Sequence, residues 1–282
     1  SFHFEGQVLS RDREGNKIYY TRIQDDIILD ILQTNNWYRP VYFANTVSRN
    51  SQMNLQPYFR LEGQAYRVVP QKHEKVSYGW IDPPFHAKRL RTFQFREMDN
   101  PDAYFDENIR RMLDNYRFAF TQLADEYMAQ GKPDSASYWL SWGEDKIPFE
   151  TIQGESTSLV NYAYKYAQLG DHEKALNIAQ LGHEEIMDDL EYYMGRIDKM
   201  ESRRRELFDK AKQARARGDM AAARKYRSQM QSQGNRQQSM VREVSFNSSH
   251  LMILQRIYFM GGKEEEARQL GMRANEITNN RI

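Results

Sequence analysis

The chain has 282 residues and a net charge of +1 at pH 7, with 40% hydrophobic residues, 28% charged residues and no cysteine. The lack of cysteine excludes a disulfide framework, a Cys-ligated zinc site and a thiol nucleophile. Mean hydropathy is −0.87, and the uncharged stretches are far shorter than the roughly 20 residues that span a membrane. The chain starts without Met and without a signal-peptide pattern, so we interpret it as a piece of a longer protein.

Residues 1–100 predict a small α/β domain. KIYYTRIQ, from Lys17, is β-branched and aromatic, which favours a strand. DDIILDILQTN places Asp25 at an expected N-cap and apolar residues at helical spacing, which predicts a short amphipathic helix. RPVYFANTVS predicts a buried strand, and PYFRLEGQAYRVVP predicts another with a bend at Gly63. YGWIDPPF is typical of a turn-rich connector, and RLRTFQFREMD favours a further strand.

Glu62 is the most informative polar residue of this domain. A carboxylate on a predicted buried strand needs a cationic partner, and three arginines could supply one, namely Arg39, Arg60 and Arg67. We interpret the set as an ion pair that stabilises the domain. A functional carboxylate is the alternative.

Residues 101–282 predict an array of helical hairpins. Gly131, Gly170, Gly218 and Gly262 are each followed five residues later by Ala, and apolar residues recur at helical spacing on both sides. This pattern resembles the tetratricopeptide repeat, in which two antiparallel helices meet at a Gly-containing turn. The third copy is degenerate, so we predict a long exposed hairpin at about residues 184–234. The fold class predicted for the whole chain is α+β, with a small α/β domain followed by an all-α array.

In this repeat family the first helix of each pair lines a concave groove. The resemblance places nine side chains there: Phe118, Thr121, Asp125, Met128, Val160, Tyr164, Met252, Arg256 and Phe259. Aromatic and Met side chains in such a groove would suit an extended or helical peptide. The alternative is that they pack against each other or against the first domain.

The near-neutral net charge hides a basic block. Between Arg196 and Arg242 there are 14 Lys or Arg and 5 Asp or Glu, a charge of +9, so the rest of the chain carries −8. The block is either a solvated helix face or a surface for anionic lipid or a lipid-linked sugar diphosphate. It contains few aromatic residues, so nucleic acid is not expected. The candidate cations are Arg203, Arg204, Arg205, Lys210, Lys212, Arg215 and Arg217.

The sequence offers no catalytic or cofactor motif. Its six His do not form the pair at positions i and i+4 with Glu that marks a helical zinc site. GxGxxG, P-loop and GxSxG patterns are missing. We therefore predict no metal ligand, no cofactor and no catalytic residue in this chain.

The order NNWYRPVYFANTV, then NLQPYFRLEGQAYRVVP, then helical repeats resembles the soluble C-terminal part of a bacterial family of multi-pass membrane proteins related to protein O-mannosyltransferases. This family is commonest in Bacteroidota, and the resemblance covers residues 25–70. The residues that carry it are Asn36, Trp37, Arg39, Pro40, Tyr42, Phe43, Leu61, Glu62, Gly63, Tyr66, Arg67, Val69 and Pro70.

This resemblance implies a non-catalytic accessory domain of a membrane-embedded glycosyltransferase-like protein, on the extracytoplasmic (periplasmic) face of the inner membrane. The implied partners are the membrane-embedded part of the same protein and a protein or peptide acceptor. In that class the catalytic acid lies between the first membrane helices, outside this chain, so we expect no turnover by this chain alone. The alternative is a free-standing tetratricopeptide-type scaffold unrelated to glycosylation.

Overall fold

The computed structural model describes residues 6–12, 14–73 and 79–278. The fold is α+β, as the sequence predicts, because a small N-terminal sheet region is followed by long helices. The chain divides into two compact units, Ser1–Ile152 and Gln153–Ile282. The boundary predicted at residue 100 falls inside the first unit, and as a domain boundary it stays a prediction.

The first unit begins with a β-hairpin. β1 (Gln7–Arg11) pairs antiparallel with β2 (Lys17–Tyr20), so KIYY forms the predicted strand. Asp12 Oδ1 accepts a hydrogen bond from the backbone N–H of Asn16 at 2.8 Å, which closes the turn. All four residues of β2 are exposed.

A four-stranded sheet forms the centre of this unit. Its strands are β3 (Tyr42–Ala44), β4 (Phe59–Glu62), β5 (Ala65–Val68) and β6 (Trp80–Ile81). The order is β3-β5-β4-β6, with β5 antiparallel to both neighbours and β6 parallel to β4. Two 3-10 turns, Arg49–Ser51 and Gln56–Tyr58, lie between β3 and β4.

Two strand predictions need correction. PYFRLEGQAYRVVP is not one bent strand but the β4–β5 hairpin, because Glu62 faces Ala65 across a two-residue turn at Gly63 and Gln64. Gly63 has φ +71°, a left-handed conformation that favours glycine in tight hairpins. RPVYFANTVS contributes only a short edge strand in which Phe43 alone is buried.

The segment after the hairpin also differs from the prediction. Trp80–Ile81 is a strand, and Pro83–Leu90 is helix α2, so YGWIDPPF is not a simple connector, although its Tyr78 lies outside the described residues. RLRTFQFREMD does not form a strand. Phe93 and Phe95 pack edge-on against the ring of Tyr116, at centroid distances of 5.1 and 5.5 Å. The alternating pattern therefore reflects packing on a helix.

Helix α1 (Ile23–Asn35) starts earlier than predicted. Arg22, not Asp25, is the N-cap residue, and Asp25 Oδ2 accepts a hydrogen bond from the backbone N–H of Arg22 at 3.1 Å. Ile28 and Leu32 pack on the sheet, whereas the predicted apolar positions Ile27 and Ile31 are exposed. The helix is amphipathic, but part of its apolar surface faces outwards.

The core of this region lies between α1 and the sheet. Phe59 is central, with ring centroids 5.1 Å from Phe43 and 5.4 Å from Tyr66. The buried members of the cluster are Phe43, Met53, Leu55, Tyr58, Phe59, Leu61, Tyr66 and Val68.

Six helices follow. They are α3 (Glu107–Ala129), α4 (Pro133–Lys146), α5 (Ser156–Gln168), α6 (His172–Ala216), α7 (Met220–Met260) and α8 (Glu264–Thr278). The first two belong to the first compact unit and the other four to the second.

The four anchor glycines terminate helices, as their spacing predicts. Gly131, Gly170, Gly218 and Gly262 have φ between +70° and +85°, the left-handed conformation of a helix C-terminus. In each turn the next backbone N–H reaches a carbonyl in the last helical turn, for example Lys132 N to Tyr127 O at 2.9 Å. The alanines five residues on are all buried: Ala136, Ala175, Ala223 and Ala267. A small side chain there allows the two helices to approach closely.

α6 and α7 form a long antiparallel hairpin that turns at Gly218 and Asp219. Asp219 Oδ1 accepts a hydrogen bond from the Ala222 N–H at 2.9 Å and so caps α7. Near the turn the buried seam consists of Leu207, Ala211, Ala214 and Ala223. We call the outer part of this hairpin the arm; it runs from Glu191 of α6 through the turn to the facing part of α7.

Candidate functional site

Glu62 lies at the end of β4 with only 3% of its side chain exposed. Its Oε1 accepts a hydrogen bond from Arg60 Nε at 2.9 Å, and its Oε2 accepts one from the Tyr42 hydroxyl at 2.9 Å. Arg67 Nη1 lies 3.7 Å from Oε1. Arg89 of α2, which the sequence did not indicate, places its Nε 3.9 Å from Oε2. The carboxylate is thus held by groups from β3, β4, β5 and α2.

The electrostatics of this cluster favour an ionised Glu62. Burial acts to raise the pKa of the carboxyl, but hydrogen bonds from Arg60 and Tyr42 and the charges of Arg60 and Arg67 outweigh it, so the pKa lies below its usual value. A carboxylate of this kind is a poor general acid at neutral pH. Arg60 is itself fixed, since its guanidinium lies 4.5 Å from the ring centroid of Phe85. The arrangement is that of a structural ion cluster.

Arg39, the remaining candidate partner, lies elsewhere. It is exposed just after α1, where its backbone N–H donates to Asn35 Oδ1 at 3.0 Å. The described contacts of Glu62 do not include it.

His86 links the sheet to α3. Its Nδ1 accepts a hydrogen bond from the Gly63 N–H at 3.1 Å, so its Nε2–H donates to the carbonyl oxygen of Ala119 at 3.2 Å. The side chain is fully buried, and this burial lowers the pKa of the imidazole against the smaller opposing effects of its partners. His86 is therefore a structural residue that is neutral at neutral pH in the folded state.

Arg117 is a fully buried cation that sequence reasoning missed. It pairs with Asp114 at 2.8 Å, donates to the carbonyl oxygens of Ile147 and Ile152, and lies 4.2 Å from the ring centroid of Phe149. It holds the segment after α4 against α3. The available signal was its position on the apolar face of α3, since a cation in an apolar stripe needs buried partners.

Of the four groove candidates on α3, one is buried and three reach the surface. Thr121 is buried and donates from its hydroxyl to the Phe118 carbonyl oxygen at 2.9 Å. Phe118 and Asp125 are exposed, and Met128 is half-buried. Only the last three present side chains to a binding partner.

The candidates of the second unit are better placed. Met252 and Phe259 on α7 are 63% and 49% exposed, and Arg256 lies between them at helical spacing. The guanidinium of Arg256 lies 5.5 Å from the ring centroid of Tyr164 on α5. Val160 is buried and packs inside. We call Tyr164, Met252, Arg256 and Phe259 the α5–α7 face.

A cleft of about 560 Å³ between α6 and α8 was not expected from the sequence. His183 Nδ1 and the Tyr258 hydroxyl face each other there at 3.4 Å. Burial and the charge of Arg273 lower the pKa of His183. Lys263 and Glu266 at its edge form an ion pair at 3.3 Å. His183 and Tyr258 are 75 residues apart in the chain, which no local motif reveals.

The seven predicted cations all lie on the arm. Arg204 is half-buried and donates from Nη1 to Gln237 Oε1 at 2.8 Å, which ties α6 to α7. Arg203 and Arg205 pair with Glu206 and Glu201 at 2.9 and 3.9 Å. The other four are exposed near the turn: Lys210, Lys212, Arg215 and Arg217.

The described residues contain neither a membrane-spanning helix nor a metal-binding cluster. No helix in residues 6–12, 14–73 and 79–278 is long and apolar enough to cross a membrane. Over the same ranges no group of three or more His, Cys, Asp or Glu residues could hold a metal ion. His3 lies outside these ranges.

Part of the chain is similar to a known protein family. Residues 12–85 match the model of a family described as TMEM260-associated domain 2. The matched segment contains β2, α1, the whole four-stranded sheet and the members of the Glu62 cluster except Arg89. It is consistent with the O-mannosyltransferase-related resemblance of this part of the chain. No curated protein and no solved structure matches the chain.

Proposed function

We propose that this chain is a non-catalytic, extracytoplasmic accessory region of a larger membrane-embedded glycosyltransferase-like protein, and that its helices bind a protein or peptide acceptor. The family match over residues 12–85 supports the link to a membrane protein of this kind. A catalytic role for the chain itself has no support from the Glu62 cluster, whose carboxylate is ion-paired.

The exposure of the α5–α7 face is the main observation in support of acceptor binding. Met252 and Phe259 expose large, adaptable apolar side chains on one face of α7. Arg256, beside Tyr164, adds a cation that can bind backbone carbonyls or an acidic side chain of a partner. An amphipathic helix that lays its apolar face against an apolar helical surface is a recurrent mode of peptide recognition.

The outer side of α1 supports contact with the membrane-embedded part of the same protein. Ile23, Ile27 and Ile31 recur every four residues and are 80%, 55% and 45% exposed. An exposed stripe of three isoleucines costs free energy in contact with water, and it lies on a helix within the family match. We propose that it packs against a neighbouring segment of the longer protein.

The test replaces Met252 and Phe259 by Asp in the full-length protein, in its own cells. The proposal predicts that sugar occupancy of the acceptor proteins falls roughly tenfold, because two apolar contact residues become charged. Mass spectrometry of the secreted and envelope glycoproteins measures this occupancy. Met272→Asp on α8, at a side chain that is 56% exposed, is the matched control. Equal occupancy in both variants, at equal amounts of membrane-bound protein, would overturn acceptor binding by the α5–α7 face.

A further inference from the structure

The end of the arm is strongly and openly cationic. Between residues 210 and 227 there are seven Lys or Arg and one acidic residue, Asp219. All seven cations are exposed, and within the described part of the chain none of them forms an ion pair. We call residues 210–227 the arm tip; its cations are Lys210, Lys212, Arg215, Arg217, Arg224, Lys225 and Arg227.

Asp219 offsets only one of these seven positive charges, which leaves the tip with a net charge of +6 (+7 − 1). Its carboxylate is used as the cap of α7, where it accepts the Ala222 N–H and interacts with the positive end of the helix dipole. Exposed cations without partners contribute little to the stability of the arm. A solvated helix would be equally soluble with mixed charges, so the excess of one sign indicates an anionic partner.

The tip lies far from the acidic residues at the base of the arm. Of the acidic residues nearer to it, Glu201 and Glu206 pair with Arg205 and Arg203, and Asp209 adds one negative charge beside Lys210. Glu191 pairs with Arg273 of α8 at 3.1 Å, and Gly218 lies 27 residues further along the chain. At 1.5 Å per residue this is about 40 Å, several times the screening length of about 8 Å at physiological ionic strength. The buried Leu207 and Ala211 seam keeps the two helices paired, so the cations of both helices are presented together at the tip.

The shape of the tip favours a broad surface over a groove. Lys210 and Lys212 are two residues apart and therefore lie on opposite sides of α6. Two packed helices are about 20 Å across, wider than the roughly 12 Å major groove of a DNA duplex. Tyr226 is the single aromatic residue of the tip and is half-buried, so single strands find no stacking platform. Nucleic acid is therefore disfavoured.

An apolar side chain stands at the apex of these cations. Met220, the first residue of α7, is 51% exposed next to the turn at Gly218. A flexible apolar side chain surrounded by Lys and Arg suits the boundary between phosphate headgroups and acyl chains. Four of the seven cations are Arg, which binds phosphate oxygens in pairs.

We propose that the arm tip docks on the surface of an anionic phospholipid bilayer, with its cations on lipid phosphates and Met220 in the headgroup layer. This inference does not depend on the proposed function, since it needs neither an acceptor nor a transferase. It gives the arm a role separate from acceptor binding by the α5–α7 face, namely to fix the distance of the helical unit from a membrane.

The test is vesicle flotation of the purified chain. Vesicles of phosphatidylcholine are compared with vesicles that contain about one-quarter phosphatidylglycerol. Wild-type protein is expected to float with the anionic vesicles only, and to be released by high salt. Arg215→Gln, Arg217→Gln and Arg224→Gln together should weaken partitioning about 100-fold, since each cation near the surface contributes about fivefold.

The control variant removes three exposed cations outside the tip, Lys88, Arg110 and Arg242, again by change to Gln. It has the same net charge as the tip variant and is expected to bind like the wild-type chain. Equal loss in both variants would reduce the effect to overall charge and overturn the proposal. Tight binding to a labelled DNA duplex without binding to anionic vesicles would overturn it too, because the tip would then serve nucleic acid. Circular dichroism of both variants checks that the helices are intact.

Discussion

At the scale of single residues, buried charge organises the sheet region. Glu62 was recognisable in the sequence because RLEG places a carboxylate on an apolar strand with arginines nearby. Its partners in space were only partly recognisable, since Tyr42 and Arg89 come from other elements. This segment matches a family model, which is expected if these residues stabilise a fold that the family shares.

Glu62→Gln is expected to lower the free energy of unfolding by about 3 kcal/mol, because it leaves the largely buried Arg60 without its counter-ion. Chemical denaturation of the purified chain measures the change. Arg67→Gln is the matched control, since Arg67 is 38% exposed and lies 3.7 Å from the carboxylate. Its loss should stay within about 1 kcal/mol. Similar losses in both variants would contradict the assignment of Arg60 as the main partner.

His86 predicts a pH dependence of stability. The folded state holds the pKa of this imidazole below its usual value, so below about pH 6.5 the unfolded chain binds the proton first. The contribution of neutral His86 to the free energy of unfolding is therefore complete above this pH, and it is lost as the pH falls towards the folded pKa. Urea titrations between about pH 8 and about pH 5 span that value. As the pH falls over this range, the free energy of unfolding of the wild type should lose its advantage over that of His86→Gln. An advantage that is constant with pH would show that His86 does not titrate differently in the two states.

At the scale of elements, the helices were more predictable than the strands. A glycine that ends a helix in the left-handed conformation leaves a local signal, and the buried Ala five residues later repeats it four times. The β4–β5 hairpin leaves only Gly63, and in PYFRLEGQAYRVVP a two-residue turn and a bend look the same. Phe93 and Phe95 mimic a strand because a helix can bury alternate side chains of an irregular segment.

The candidate site residues also differ in how well the sequence predicts them. The α5–α7 face follows from helical periodicity, which brings Met252, Arg256 and Phe259 together within one helix. The α6–α8 cleft joins residues of three different helical segments, and the partners of Arg117 lie 30 and 35 residues away. Contacts of that kind depend on tertiary packing, which sequence periodicity does not encode.

Two glycines of the second unit allow a matched test of the turn mechanism. Gly170→Ala should destabilise by about 1 kcal/mol, because φ +85° is strained for any side chain. Gly195→Ala should stabilise by about 0.5–1 kcal/mol, because Gly195 lies inside α6 with open space where the Cβ would be. Thermal and urea denaturation measure both. The same sign for both variants would contradict the assigned roles.

At the scale of the whole chain, the features divide between the two compact units. The family match and the Glu62 cluster lie in Ser1–Ile152, whereas the α5–α7 face and the arm lie in Gln153–Ile282. Under the proposed function, the first unit would associate with the membrane-embedded part of the protein, and the second would bind the acceptor. A free-standing scaffold would use the same α5–α7 face but would need no larger membrane protein.

The size and location of the native protein separate these two accounts most directly. An antibody against this chain is applied to soluble and membrane fractions of the source cells. Under the proposed function the antibody detects a membrane-bound band far larger than the 33.6 kDa of the chain, released by detergent but not by salt. A soluble band near 33.6 kDa would contradict it and would leave a protein-interaction scaffold as the function of the helical unit.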